Sequence, residues 1–448
     1  MVVVNSALLN EAYIVTFPLV FNLDQVKRYV ETGVGANPAA AFNTFSHARS
    51  LAGPEDTFVS INNDTLYSMA QIDLSVGPVW LEVPETGERY YVLQFVDAWT
   101  NNFAYVGRRA TGTAAGRFLL VPPGWEGQQP SNATVIHAPT TVFSIVGRWA
   151  CGDAEDVAAV HALQDATTLT PIDAEATPAG IPTISADVPS EIAFLEKARV
   201  WSQAFPPSEA EQTVLAKFAD LGLTAQESPY LALAADEVAT LATGLVAGNS
   251  ALIEYLKTGD VPIVNGWMLT YHAFDYNIEH FEVGTINAPE FVAPDGPARY
   301  VLRAGAALGG LWGNHAYEAA YAAVYVDATG AQLTGAQKYT LTFNPTPPVG
   351  AFWSITMYAV PDFFLVANVA DRYSVGSETP GLVYNGDGSL TIAISATEPS
   401  DPQRRANWLP APAGEFRPLL RMYEPDSSVV DGRFELPAIE RVAEGSSW

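Results

Sequence analysis

Cysteine is almost absent from this chain, with Cys151 alone. One thiol excludes an intramolecular disulfide, a zinc finger and a cysteine-ligated iron–sulfur cluster. Set beside Gly152 with no partner nearby, Cys151 reads as an inert small residue. Cations are also scarce: 22 Lys and Arg stand against 49 Asp and Glu, a formal net charge of −27. Binding to nucleic acid requires Lys and Arg to neutralise phosphates, so neither nucleic acid nor an anionic membrane is an expected partner. The cations divide into 5 Lys and 17 Arg. Arginine's planar fork suits fixed ion pairs or an anionic group. Long hydrophobic runs are missing too. No uninterrupted apolar stretch reaches the ~18 residues that span a bilayer, and Met1 to Asn10 lacks the basic region of a signal peptide. Cytoplasmic placement, or export with a leader absent from this sequence, both remain open.

Familiar catalytic signatures are absent as well. There is no G-x-S-x-G elbow, no Walker A loop and no G-x-G-x-x-G after a strand. Serine α/β-hydrolases, P-loop NTPases and Rossmann dehydrogenases are thereby excluded. The six histidines, at 47, 137, 161, 272, 280 and 315, show no metal-ligand spacing such as H-E-x-x-H. No cofactor is expected, although a divalent cation gathered from distant His, Asp and Glu stays open. No repeat with a period of 20–50 residues is visible.

What is present describes a folded protein. Of 448 residues, 48% are apolar and 16% charged, which fits a globular chain of two or three domains. Ten Trp, nineteen Tyr and thirty-two Pro favour β structure with many turns. A packed helix is expected within residues 10–35. Val79 to Val83 and Tyr90 to Val96 read as strands joined by Pro84 to Glu88 as a hairpin loop. Arg117 to Val121, Thr134 to His137 and Val142 to Arg148 continue the pattern. Helical spacing follows over Ala154 to Asp165, then a Pro- and Ala-rich connection from Thr170 to Pro189. Amphipathic helices, such as Glu209 to Leu221 and Ala234 to Val246, follow. A second β block begins near Gly266 and includes Tyr339 to Phe343, Ala351 to Tyr358, Ser389 to Ile394 and Gly414 to Tyr423. The expected fold is mainly β with helical segments (α+β): two β-sandwich or jelly-roll-like modules joined by a helical region. The corresponding divisions are 1–170, 171–260 and 261–448.

Three constellations could carry chemistry. In the first, His47 and Arg49 precede Asn62, Asn63, Asp64 and Tyr67 by one loop. A histidine can move protons near neutral pH, an arginine can clamp an anion, and amides can orient polar oxygens. The structural alternative is a turn at Asp64 with Arg49 paired to it. In the second, Trp99 and Asn101 follow a strand, with Arg109 nearby, a possible stacking wall with hydrogen-bonding arms. Its alternative is a core Trp99 and an Arg109 that satisfies loop carbonyls. The third is Trp312, Asn314, His315 and Glu318, after a run of small residues. If that segment is helical, Asn314 and Glu318 share one face at i, i+4. An adjacent imidazole and carboxylate is the minimum equipment for general acid–base catalysis, and a lone satisfied histidine is the alternative.

These residues carry a resemblance. Phe45-x-His47-x-Arg49, Asn62-Asn63-Asp64-Thr65-Leu66-Tyr67-Ser68, Tyr90 to Gln94 leading to Asp97-Ala98-Trp99-Thr100-Asn101, and Gly107-x-Arg109-x-Thr111-Gly112 are similar to one bacterial module. Phe352 to Tyr358, Arg372-Tyr373-Ser374, Asp387 to Thr391 and Asn407 to Pro412 are similar to its usual partner. Together they resemble the bacterial family that pairs domain of unknown function 1254 with domain of unknown function 1214. The resemblance implies two β-sandwich-type modules with helices around them, often in a homo-oligomer. It brings no settled reaction.

The expectation is an enzyme acting on a small polar or sugar-like molecule by acid–base chemistry, hydrolysis or elimination, in a cleft between the modules. His47, Asp64, His315 and Glu318 would carry protons. Arg49, Asn62, Asn63, Tyr67, Trp99, Asn101, Arg109, Trp312 and Asn314 would hold substrate. The rivals are a non-catalytic carbohydrate or small-molecule binder or structural protein, and a metal-dependent hydrolase.

Overall fold

The computed structural model describes residues 5–56, 60–152, 155–258, 261–443 and 448. The first half contains α1 (Ser6–Glu31), β1 (Phe45–His47), β2 (Thr65–Asp73), β3 (Val79–Val83), β4 (Tyr91–Asp97), β5 (Asn102–Gly107), α2 (Arg108–Thr111), β6 (Gly116–Val121), β7 (Thr134–His137), β8 (Val142–Ala150), α3 (Val157–Ala166) and β9 (Thr168–Pro171). Then come α4 (Ala193–Ala204), α5 (Glu209–Ala216), α6 (Ala235–Thr258), β10 (Ile263–Val264), β11 (Trp267–Leu269) and α7 (Pro297–Gly310). The second half continues with β12 (Ala319–Val324), β13 (Tyr339–Phe343), β14 (Trp353–Ala359), β15 (Ser374–Gly376), β16 (Leu390–Ser395), β17 (Trp408–Pro410), β18 (Phe416–Tyr423) and β19 (Glu440–Arg441).

The strands form four sheets, ordered β1-β2-β8-β4-β5 and β7-β6-β3-β9 in the N-terminal module, and β10-β11-β12-β18-β14-β15 and β17-β16-β13-β19 in the C-terminal one. The fold is α+β, as the sequence implies. Alternation in each strand sends one set of side chains between paired sheets. Leu66, Ile72, Leu81, Leu93, Phe118 and Ile145 build the first sandwich core. Leu341, Ile355, Ile392, Leu420 and Met422 build the second. One expectation fails here. β3 and β4 lie in different sheets, so Pro84 to Glu88 crosses between sheets and is not a hairpin.

The two modules repeat one another. Adding ten to each strand number converts the orders β2-β8-β4-β5 and β7-β6-β3-β9 into β12-β18-β14-β15 and β17-β16-β13-β19. Orientation follows the same rule, because β6–β7 and β16–β17 are parallel while the other equivalent pairs are antiparallel. The match extends to single residues. Arg148 faces Tyr67 across β8–β2, and Arg421 faces Tyr321 across β18–β12. Gly107 and Gly376 both lie where a Cβ would meet the backbone of β4 or β14, at 2.4 Å from Tyr91 O and 2.1 Å from Trp353 O. Only glycine permits that approach. The Gly107 N–H donates to Thr111 Oγ1 and the Gly376 N–H to Thr379 Oγ1.

A helical layer covers the outer face of the N-terminal sheet. α1 packs against α4, α6 and α7, and its Leu9, Val15, Leu19 and Leu23 share a core with Met69, Val146 and Trp99. Asn5 caps α1 by accepting from the amides of Ala7 and Leu8. By length and composition α1 could cross a membrane, although polar residues interrupt its apolar stretch. However, 67% of its most apolar window is buried inside the fold. Beyond α1, the outer faces of the two large sheets meet each other. Tyr90, Val92 and Tyr105 pack on Tyr317, Ala319, Phe352 and Tyr423.

Candidate functional site

Where the sheets meet, residues just outside β2 and β12 reach across the junction. Asp64, one residue before β2, accepts a hydrogen bond from Ser354 Oγ on β14. Its other oxygen accepts from the Tyr423 hydroxyl at 3.3 Å. Asn62 donates through Nδ2 to the Tyr423 hydroxyl at 2.7 Å and to Thr65 Oγ1 at 3.0 Å. Burial, reinforced by Asp64, pushes the Tyr423 hydroxyl well above the usual phenol range, so it stays a donor toward that carboxyl. Asp64 and Ser354 line a cleft of about 1120 Å³. The N-terminal module contributes Asn63 and Tyr90 to its walls, and the C-terminal module contributes Phe352 and Trp353. Asn63 is held by the Ala52 carbonyl and by Ser374.

Glu318, one residue before β12, is the structural counterpart of Asp64. The amide of Cys151 reaches Asp64 O in one module, and the amide of Glu424 reaches Glu318 O in the other. Glu318 likewise crosses the junction, accepting from the Tyr90 hydroxyl at 2.8 Å and Arg109 Nε at 2.5 Å. The register of β5 and β15 pairs position 109 with position 378. At 378 the residue is Glu, which lines the cleft. One acid of the pair is therefore locked in a buried ion pair, and the other is bonded to hydroxyl groups.

Comparison with known proteins names the modules. Residues 42–171 match the family described as protein of unknown function (DUF1254), and residues 318–427 match that described as protein of unknown function (DUF1214). This chain carries the DUF1254–DUF1214 pair. The crystal structure of the VPA0106 protein from Vibrio parahaemolyticus is 23% identical and aligns over 98% of this chain and 100% of that one. Its TM-score of 0.73 shows a shared fold. An uncharacterized protein from Burkholderia cenocepacia is 12% identical, aligning over 96% of this chain and 88% of its own with a TM-score of 0.47. No curated protein matches the chain.

The remaining residues singled out from sequence separate into groups. In the DUF1254 module, His47 and Arg49 are not among the residues that line the cleft. His47 Nδ1 is 2.7 Å from Ser68 Oγ, and its ring stacks on Phe45. Arg49 pairs with Asp165 of α3, not with Asp64. Trp99 is a core residue whose Nε1 donates to Phe205 O, and Asn101 is bonded to Asp97. Arg109 also donates to the Gly284 carbonyl. The segment Trp312 to Glu318 is not helical, because α7 ends at Gly310. The shared helix face of Asn314 and Glu318 therefore does not form. Trp312, at φ 65°, turns the chain sharply and donates to Asn22 of α1. His315 is fully buried, and neither ring nitrogen has a hydrogen-bond partner among the described residues. Its Nδ1 lies 3.3 Å from Asp275 Oδ1, and burial holds its pKa below the usual value. His47 and His315 thus share no cavity, and the cleft lining includes neither.

Burial, with help from Arg49, lowers the His47 pKa from 6.5 to about 4. The unfolded chain therefore binds a proton that the folded chain refuses between those values. Stability is fully present above pH 6.5 and falls as pH drops toward 4. A His47→Gln variant is expected to show a flatter melting temperature over this window; an unchanged slope would remove His47 from the account.

Sequence reasoning did not single out Arg148, Tyr321, Ser354, Arg421 or Tyr423. Arg148 donates to Gln94 Oε1 at 2.8 Å and Trp312 O at 2.9 Å, with Asn314 Oδ1 at 3.5 Å, and stacks over Tyr67. Asn314 bonds in turn to the Tyr321 hydroxyl at 3.2 Å. Tyr67, Trp312 and Asn314 are therefore brought together around Arg148, a residue inside strand β8. A solitary cation inside the apolar run Val142 to Ala150 was the available signal. Among the described residues no three His, Cys, Asp or Glu side chains are grouped as metal ligands.

Proposed function

We propose that the protein is an enzyme that acts on a small polar molecule by general acid–base chemistry in the cleft between the modules, with Asp64 as the proton-transferring group. The reading rests on the asymmetry between the two equivalent acids. Arg109 neutralises Glu318, whereas Asp64 is held by Ser354 and Tyr423, both hydroxyl donors. A carboxylate aimed by hydroxyl groups can accept a proton from substrate and return it to a leaving group, and such transfer is worth ~10²–10⁴ in rate. Asn63 and Ser374 add polar groups to the cleft lining, and junctions between modules are favoured ligand sites. Hydrolysis and elimination both suit this equipment. His47 and His315 lie outside the cleft lining and take no role in this reading.

The test is a panel of sugars, glycosides, polyols and hydroxy acids followed by NMR for product formation. For any compound turned over, Asp64→Asn is expected to lower the rate by ~10²–10⁴ while the melting temperature stays within a few degrees. Undiminished turnover in a folded Asp64→Asn protein would sink the assignment. Saturable binding of panel members without product would favour the non-catalytic alternative.

A further inference from the structure

Arginine remains charged at any accessible pH, so a buried guanidinium needs a countercharge or full hydrogen bonding. Among the described residues five arginines are buried: 148, 199, 299, 303 and 421. Arg199 pairs with Glu196, and Arg299 and Arg303 pair with Glu211. Arg148 and Arg421 make no ion pair among the described residues, although they are only 7% and 5% exposed. Both exceptions occupy the same place in the duplicated fold, on β8 and β18, each opposite a tyrosine.

Their surroundings are equivalent too. Arg148 Nη1 donates to Gln94 of β4, and Arg421 Nη1 donates to Thr356 at the matching position of β14. Arg148 Nη2 donates to the carbonyl of Trp312, and Arg421 Nη2 to the carbonyl of Ser60. Each carbonyl belongs to the other module, and each residue has positive φ, 65° and 54°. The two Tyr–Arg couples therefore point into the junction from opposite sides. Asn314 connects Arg148 to Tyr321, and Tyr67 and Tyr423 lie close enough to couple electrostatically with both guanidinium groups. Asp64 is the neighbouring acid, and its two oxygens are engaged by Ser354 and Tyr423. Arg148 makes three bonds to uncharged acceptors, and so does Arg421. Each can still offer donors from its five N–H groups. Tyr67 and Tyr321 are only partly buried.

We infer that the junction between the Tyr67–Arg148 and Tyr321–Arg421 couples is a binding site for a small carboxylate. A guanidinium fork matches the two oxygens of a carboxylate, and tyrosine hydroxyls add donors. Two guanidinium groups beside the acid Asp64 leave one net positive charge, which a single carboxylate neutralises and a doubly charged phosphate would exceed. The inference does not depend on catalysis in the cleft.

Thermal denaturation of the full chain provides the test, with sodium acetate, lactate and benzoate set against acetamide, lactamide, benzamide, sodium chloride and sodium phosphate. At least one carboxylate is expected to raise the melting temperature saturably where its amide and chloride do not. Arg148→Gln and Arg421→Gln are each expected to weaken the response roughly tenfold or more, as loss of a charge-assisted bond entails. Tyr321→Phe removes one hydroxyl and keeps the packing, so it reports even if an arginine variant does not fold; a several-fold loss is expected. Three results would overturn the inference: equal effects of carboxylates and amides, a phosphate effect as large as any carboxylate's, or a response unaltered in every folded variant.

Discussion

Glu318→Ala is expected to destabilise the protein by about 3–5 kcal/mol, the usual cost of breaking a buried ion pair from one side. Its side chain is 1% exposed, and its partner Arg109 is 19% exposed. Removing the carboxylate leaves Arg109 facing Tyr105 and Tyr317 at 5.7 and 4.6 Å from the ring centroids, without its counterion. It also strips the Tyr90 hydroxyl of its acceptor, adding the penalty of an unmade buried bond. Both bonds cross the junction, so the loss loosens the contact between modules while leaving each sandwich core intact. Urea denaturation measures it, and a cycle with Arg109→Met isolates the pair from the packing. A Glu318→Ala protein within 1 kcal/mol of wild type would show that the pair contributes little. The same variant separates structure from chemistry, since turnover retained under stabilising conditions would make Glu318 a brace between modules.

Glu211→Ala is expected to have an effect as large or larger, because one carboxylate serves two buried cations. Arg303 and Arg299 donate to Glu211 Oε1 at 2.7 and 3.1 Å, and the two arginines are 1% and 3% exposed. Alanine there leaves Arg303 buried with uncharged partners such as the Trp99 carbonyl, and leaves Arg299 with only the exposed Asp295 at 3.3 Å as a counterion. The expected loss is at least about 3–5 kcal/mol. Glu211→Gln, which keeps an acceptor, should cost less. Burial alone would raise the Glu211 pKa, but Arg303 and Arg299 outweigh it and hold the carboxyl below its ordinary 4.5. This contribution is therefore complete above pH 4.5 and declines as acid protonates the folded protein. Melting curves for both variants at neutral pH and in acid check the magnitude and its direction. If Glu211→Ala melts with the wild type at neutral pH, the triad is energetically silent.

Individual strands were legible because alternation marks one buried face: Tyr339 to Phe343 and Val79 to Val83 fall where the pattern puts them. Sheet membership was not. Pro84 to Glu88 has hairpin chemistry, yet the strands on either side pair with β6 and β8, partners chosen by packing far along the chain. The candidate site divides along the same line. Asp64, Asn62 and Tyr67 stand in a dense polar run and were visible. Ser354, Arg421 and Tyr423 sit singly in strands, and only the stacking of two sheets makes them neighbours. The histidines misled for the opposite reason. An imidazole signals proton chemistry by type alone, but His315 is enclosed by Tyr105, Tyr317 and Asp275, a setting that sequence spacing does not reveal.

The strand-for-strand duplication bears on ancestry. Two copies of one strand order, each donating an arginine to a carbonyl of the other, are what fusion of a symmetric dimer would leave behind. In such a dimer both acids would have been alike, and both arginines would have donated to the opposing subunit's carbonyl. In this single chain the halves differ: one acid pairs with Arg109, while the position equivalent to 109 in the other half is Glu378. A single polypeptide could thereby specialise one of two formerly identical half-sites, which a homodimer encoded by one gene cannot do.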